Sequence, residues 1–180
     1  IQDWVRGRAA LNIKQSEEKL QRHPYEPCYL YESGIRPLAQ YPVRGVIWYQ
    51  GESNAHNYEA HEKLFKLLIG SWRKNWGSET LPFYYVQLSG IARPSWPWFR
   101  DSQRRMMNEI LNTGMAVSSD WGDSLDVHPR NKKPVGERLA RWALNKTYGM
   151  CHVLPSGPLF RQADFREGAV YIIFDYGEGL

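Results

Sequence analysis

Cysteine is scarce: Cys28 and Cys151 are the only two in 180 residues. That excludes a disulfide scaffold, and no metal-ligand spacing surrounds either residue. The pair leaves open one disulfide in an exported protein or two buried free thiols. No apolar run approaches the roughly 18 residues of a membrane-crossing helix. Net charge is +4, but no block of Lys and Arg reaches the length of a nucleic-acid arm or a membrane patch. A Gly-rich phosphate loop is also missing. These absences argue against a nucleic-acid partner, a membrane span, a metal and a nucleotide cofactor.

What remains is ordinary in bulk and unusual in aromatics. Hydrophobic residues make up 42% and charged residues 23%, as in globular domains, and the chain is long enough for one domain with a real core. Eight Trp, eleven Tyr and six Phe bring the aromatic share to 14%. The Trp and Tyr rings offer a flat face and a polar tip, which suits sugar binding and equally a large aromatic core. Residue 1 is Ile, no signal peptide precedes it, and Ala169 to Phe174 reads as a strand just beginning. The expectation is an excerpt of a longer chain.

Periodicity gives a coarse map. Val43 to Tyr49 reads as a strand buried on both faces. A polar turn follows at Gln50 to Asn54. Tyr58 to Trp76 then repeats apolar residues at helical spacing (Leu64, Phe65, Leu68, Trp72, Trp76), and Gly77 is a stop. Pro82 to Leu88 reads as a second buried strand, Arg93 to Trp98 as a Trp/Pro-rich loop, and Phe99 to Leu111 as a helix. Gly114 to Ser118 is a third strand, and residues 119–133 form a polar loop. Val135, Leu139, Trp142 and Ala143 mark a last helix, ending near Gly149. Trp4 to Leu20 also has helical character, with an irregular path after it at Pro24, Pro27 and Pro37.

Strands alternating with helices imply βαβ units, a mainly parallel sheet and helices on both faces. Ligands of such folds sit at the carboxyl ends of the strands. The loops 50–54 and 119–133 both follow strands and should converge there. The breaker cluster Pro155 to Pro158 suggests a boundary near 153, with residues 154–180 opening a following β-rich unit.

Two segments carry candidate chemistry. Gly51-Glu52-Ser53-Asn54-Ala55 is a near miss to the Gly-x-Ser-x-Gly elbow that exposes a nucleophile on a strand-to-helix turn. Ser53 is the natural suspect; alternatively Ser53 or Asn54 simply caps the helix. In Asp126-Val127-His128-Pro129, residues two apart point to one side of an extended loop. Asp126 could thus hold one ring nitrogen of His128 while the other acts as general base. Asp120 and Asp123 are further carboxylates within reach. His56 and His61 begin a helix at a spacing poor for a shared metal and read as solvated. His23 and His152 have no obvious partner.

Trp48-Tyr49-Gln50-Gly51-Glu52-Ser53-Asn54, then Asp126-Val127-His128-Pro129-Arg130-Asn131-Lys132, then Arg138-Leu139-Ala140, together resemble the SGNH hydrolase superfamily. Within it, they are most similar to the sialate O-acetylesterase and acetylxylan esterase branch. Leu81-Pro82-Phe83, Arg100-Asp101-Ser102-Gln103 and Ile1-Gln2-Asp3-Trp4 fit the same branch. The resemblance spans roughly residues 1–150. It implies a three-layer α/β/α, flavodoxin-like hydrolase fold, incomplete at the N-terminus.

It also implies that the nucleophilic serine and the oxyanion-hole glycine lie in blocks before Ile1. Ser53 then becomes a lining residue rather than the nucleophile. His128 matches the catalytic base, and Asn54 a site-lining Asn able to donate to an oxyanion. The triad acid is open between Glu52, in a Gln-Gly-Glu element, and Asp126. The superfamily spacing is Asp-x-x-His, and here the Asp stands one residue closer. Gln50 and Gly51 would line the same pocket, and Trp96 or Trp98 could stack on a sugar. The implied reaction is hydrolysis of acetyl esters on carbohydrate hydroxyls without a cofactor, in a periplasmic or extracellular setting. The rival readings are a non-catalytic carbohydrate-binding protein and an esterase using Ser53.

Overall fold

The computed structural model describes residues 26–178. The proposed helix from Trp4 to Leu20, the Ile1-Gln2-Asp3-Trp4 match, His23 and Pro24 lie outside them. The chain divides into two compact units. In one, residues 26–42 with 75–77, a π turn at Tyr31–Ile35 runs into a 3-10 turn at Arg36–Leu38. Here the Tyr31 hydroxyl donates to Asn75 Oδ1 at 3.0 Å, and Trp76 Nε1 to the Tyr41 carbonyl at 2.9 Å.

The second unit holds a parallel sheet in the order β1 (Val46–Trp48), β2 (Phe83–Val86), β3 (Thr113–Ala116). Its register pairs Val46 with Phe83 and Phe83 with Thr113. Helix α1 (Tyr58–Asn75) crosses from β1 to β2, α2 (Trp96–Glu109) from β2 to β3, and α3 (Lys133–Trp142) follows β3, with a π turn at Ala143–Thr147. Asn57 caps α1, accepting from Ala60 N at 3.1 Å. Neither Ser53 nor Asn54 takes that role. Pro97 and Pro134 sit in the first turns of α2 and α3, where a missing N–H costs nothing. This is why the Trp/Pro-rich stretch is helical from Trp96 rather than a loop to Trp98.

Strand β2 shows how the layers form. Its four residues are all buried and alternate between the two faces. Tyr84 and Val86 meet Val135, Leu139 and Trp142 of α3. Phe83 and Tyr85 meet Phe65 of α1 edge-on, at ring-centroid distances of 6.3 and 5.2 Å. The Tyr85 hydroxyl donates to the Gln103 carbonyl of α2 at 2.6 Å. The sheet thus lies between α1 and α2 on one face and α3 on the other. Beyond Val86, the buried Gln103 side chain substitutes for a neighbouring strand: Leu88 N donates to its Oε1, and its Nε2 donates to the Val86 carbonyl.

Three expectations need correction. Strand β1 is not buried on both faces: Val46 is buried but Ile47 is 66% exposed, because β1 pairs with β2 on one edge and, among the described residues, no helix covers the face that Ile47 presents. The buried stripe of α1 is His61, Phe65 and Ile69, spaced four apart, whereas Leu64 is 61% exposed. Cys28 and Cys151 are free and exposed, neither buried nor bridged. A second, antiparallel sheet pairs β4 (Leu159–Arg166) with β5 (Ala169–Asp175) through the two-residue turn Glu167-Gly168.

Candidate active site

The carboxyl ends of the strands deliver the two chemistry-bearing loops to one cleft of about 510 Å³, lined by Tyr49, Glu52, Ser53, Arg93, Val127, His128 and Lys132. The β1 end turns sharply at Gly51, whose φ of 145° favours glycine. A Cβ there would lie 2.8 Å from Phe99 Cζ. Gly51 thus lets the chain pass over a buried ring and enter the 3-10 turn Glu52–Asn54. Glu52 and exposed Ser53 face the cleft. Asn54 does not line it; its Nδ2 lies 3.2 Å from His61 Nδ1.

The loop after β3 is fastened near its start. Ser118 Oγ donates to the Gln87 carbonyl at 2.6 Å. Arg138 of α3 grips Asp120 with two nitrogens, at 2.7 and 2.6 Å, and the Val117 carbonyl at 2.7 Å. The Arg138 guanidinium holds the Asp120 carboxyl below its ordinary range. Gly122 presses on Gly90, where a Cβ would come within 2.4 Å of Gly90 N, and Ala92 N donates to the Ser124 carbonyl at 3.1 Å.

Further along, Asp126 Oδ1 accepts from the His128 backbone N–H at 2.9 Å and lies 3.2 Å from His128 Nδ1. The backbone N–H is the larger reason that the Asp126 carboxyl sits below the usual range, followed by the imidazole. With Nδ1 donating to this carboxylate, Nε2 is left as the accepting nitrogen. The His128 side chain is 82% exposed, so Nε2 is accessible to another group.

The structure brings Glu52, Ser53 and His128 together and attaches Asp126 to His128. It does not bring in the rest. Gln50 is exposed outside the cleft lining, and Gly51 is buried in the turn. Trp96 is 2% exposed with its Nε1 donating to the Ser89 carbonyl at 2.6 Å. A ring so enclosed offers no face to a sugar, which corrects its reading as a platform. Trp98 is 64% exposed but does not line the cleft. His61, read as solvated, is buried beneath Asn54. Among the described residues, no group of three or more His, Cys, Asp or Glu is arranged to hold a metal. No helix there is long and apolar enough to cross a membrane.

Sequence reasoning missed the cationic and aromatic walls. Lys132 Nζ stands 4.5 Å over the Tyr49 ring, and the Arg93 guanidinium 5.4 Å from the Trp96 ring. Tyr49 and Lys132 stand in the blocks that carry the resemblance and Arg93 in the loop after the second strand, but nothing in the sequence singles out their side chains.

The sialic acid-specific acetylesterase family of carbohydrate esterases matches residues 4–145. Sialate O-acetylesterase of Mus musculus is 33% identical over 158 residues, covering 76% of this chain and 29% of that protein. The Homo sapiens sialate O-acetylesterase is 32% identical with 30% of its length covered. The chain therefore spans under a third of the curated relatives it matches. A carbohydrate acetylesterase of Xanthomonas citri, known from its crystal structure, is 39% identical with a TM-score of 0.73, covering 82% of this chain and 36% of that one. The chain belongs to the sialic acid-specific acetylesterase family of carbohydrate esterases, in the sialate O-acetylesterase branch of the SGNH hydrolases.

Proposed function

We propose that this chain is the base-bearing part of a carbohydrate O-acetylesterase. The observation that carries the reading is the Asp126–His128 pair, with an accessible Nε2, on the cleft at the carboxyl edge of the sheet. The catalytic serine lies in sequence before Ile1. Two facts support this: the curated relatives are more than three times the matched length, and among the described residues the outer edge of β1 has no partner strand, with Ile47 exposed. An upstream strand docked there would bring a further loop to the same edge.

In the reaction, the serine oxygen attacks the acetyl carbonyl carbon while His128 Nε2 takes the serine proton. Collapse of the tetrahedral intermediate breaks the bond to the sugar oxygen, which receives that proton from His128. Water, deprotonated by the same nitrogen, then attacks the acyl-enzyme; its bond to the serine oxygen breaks, that oxygen takes the proton back from His128, and acetate leaves. Asp126 orients the ring and stabilises the imidazolium. Asn54, at the end of the turn that carries Glu52 and Ser53 into the cleft, donates to the oxyanion once the upstream part completes the site, a role typically worth ~3 kcal/mol per donor. Arg93 and Lys132 give the cleft a cationic wall toward a sugar, and Trp98 is an exposed ring at the start of the helix that follows Arg93. An extracellular or periplasmic setting fits such a substrate.

The test is acetate release from an O-acetylated sugar by the protein of the complete reading frame. His128→Ala should lower kcat by about 10³-fold or more with an unchanged fold. Near-normal turnover would overturn the assignment. A second reading keeps Ser53 as nucleophile, favoured by its exposure in the cleft that His128 lines. It predicts acetylesterase activity in this chain alone, abolished by Ser53→Ala; our reading predicts none in the chain alone.

A further inference from the structure

Asn54 closes the 3-10 turn whose Glu52 and Ser53 line the cleft, and its carboxamide is held from helix α1. The Asn54 Nδ2 to His61 Nδ1 distance is 3.2 Å. His61 is 5% exposed. Its ring stacks on Phe65 with centroids 5.6 Å apart and 13° between planes, and meets Phe99 at 4.6 Å. An imidazole clamped between two rings has lost its rotational freedom and presents Nδ1 in a fixed place.

Burial pushes the imidazole below its ordinary value, and Glu62 opposes this only in part. Glu62 is itself engaged by Arg105 at 2.6 Å. The ring is thus neutral under ordinary conditions. With the proton on Nε2, Nδ1 is an acceptor and Asn54 Nδ2 donates to it. An amide nitrogen carries two hydrogens. One is committed to His61, which fixes the plane of the carboxamide, and the second stays free to donate.

We propose that His61 is a positioning residue for Asn54. Its Nδ1 locks the carboxamide so that the second N–H of Nδ2 is presented to the oxyanion of the acetyl ester. His61 touches no reacting atom. The proposal rests on the reading of Asn54 as an oxyanion donor, and it explains why a histidine is buried in an apolar helix stripe beside Phe65 and Phe99.

The test is steady-state kinetics on an O-acetylated sugar, with the complete protein in four forms besides wild type: His61→Phe, His61→Gln, Asn54→Ala and the Asn54→Ala/His61→Phe double variant. His61→Phe keeps the stack and removes the acceptor; kcat should fall about 10- to 100-fold, with KM within about twofold. His61→Gln restores an acceptor oxygen and should regain most of that loss. In the Asn54→Ala background, His61→Phe should cost nothing further, because the partner it orients is gone. The proposal is overturned if His61→Phe costs the same in both backgrounds, or if Gln restores nothing. An unchanged kcat in Asn54→Ala would instead sink the oxyanion reading and the positioning role with it. If His61→Phe does not fold, ¹⁵N NMR of the wild-type imidazole decides. An unprotonated Nδ1 supports the proposal and a protonated Nδ1 overturns it.

Discussion

The turn after β1 is fastened from beneath, while the loop after β3 is fastened from its flanks. Gly51 lies against Phe99, Ala55 is buried, and Asn54 is tied to His61 inside the layer of α1 and α2. The later loop is secured by Ser118, Arg138 and the Gly90–Gly122 approach, and at its tip Val127 packs on the core and Pro129 is buried while Asp126 and His128 between and beside them stay exposed. Asp126 and His128 there bond chiefly to each other. The difference fits two kinds of chemistry. A donor to a developing oxyanion works by being in place before the charge appears. A base must remain open to a nucleophile and a leaving group that arrive from elsewhere.

The largest expected effect probes the exposed side of this contrast. Asp126→Asn in the complete protein should lower kcat by about 10³-fold, since the ring would lose its orienting carboxylate. Glu52→Gln should cost less than about tenfold. Kinetics on an acetylated sugar check both, and a reversed order would move the acid role to Glu52.

The fastened side should instead fail through stability. Gly51→Ala places a Cβ against Phe99 at a positive φ, and should cost about 3 kcal/mol of unfolding free energy, read as a shift in the urea midpoint. An unchanged midpoint would mean that the turn can move off Phe99.

Smaller effects sharpen the picture. Trp98→Ala should raise KM by about three- to tenfold with kcat unchanged, the scale of one aromatic contact; an unchanged KM would remove it from the sugar site. The last prediction is a titration. A carboxyl held low in the folded protein contributes stability that is present above its unfolded value and lost as pH falls through the folded one. Asp126 is held low by the His128 N–H first and the imidazole second. Its ¹³C carboxyl shift should therefore titrate below the ordinary aspartate value of about 3.9, together with the His128 amide. A midpoint at or above that value would mean the pair does not form.

Much of the layered fold was legible because burial follows period. Strand β2, enclosed on both faces, was read correctly as an apolar run. The edge strand β1 was over-read, since Ile47 looks the same in sequence whether covered or open. At the site, Asp126 and His128 were legible because their geometry is local, two residues apart in an extended loop. His61 was not: its burial depends on Phe99, which comes from a different helix. Trp96 was misread because a Trp/Pro cluster resembles a loop, although Pro97 is well placed in a first helical turn.

The most direct test of the central claim is covalent. The complete protein is treated with a fluorophosphonate that traps activated serines, and the labelled peptide is identified by mass spectrometry. The account predicts a label on a serine outside these 180 residues, lost when His128 is replaced by Ala. A label on Ser53 would contradict it.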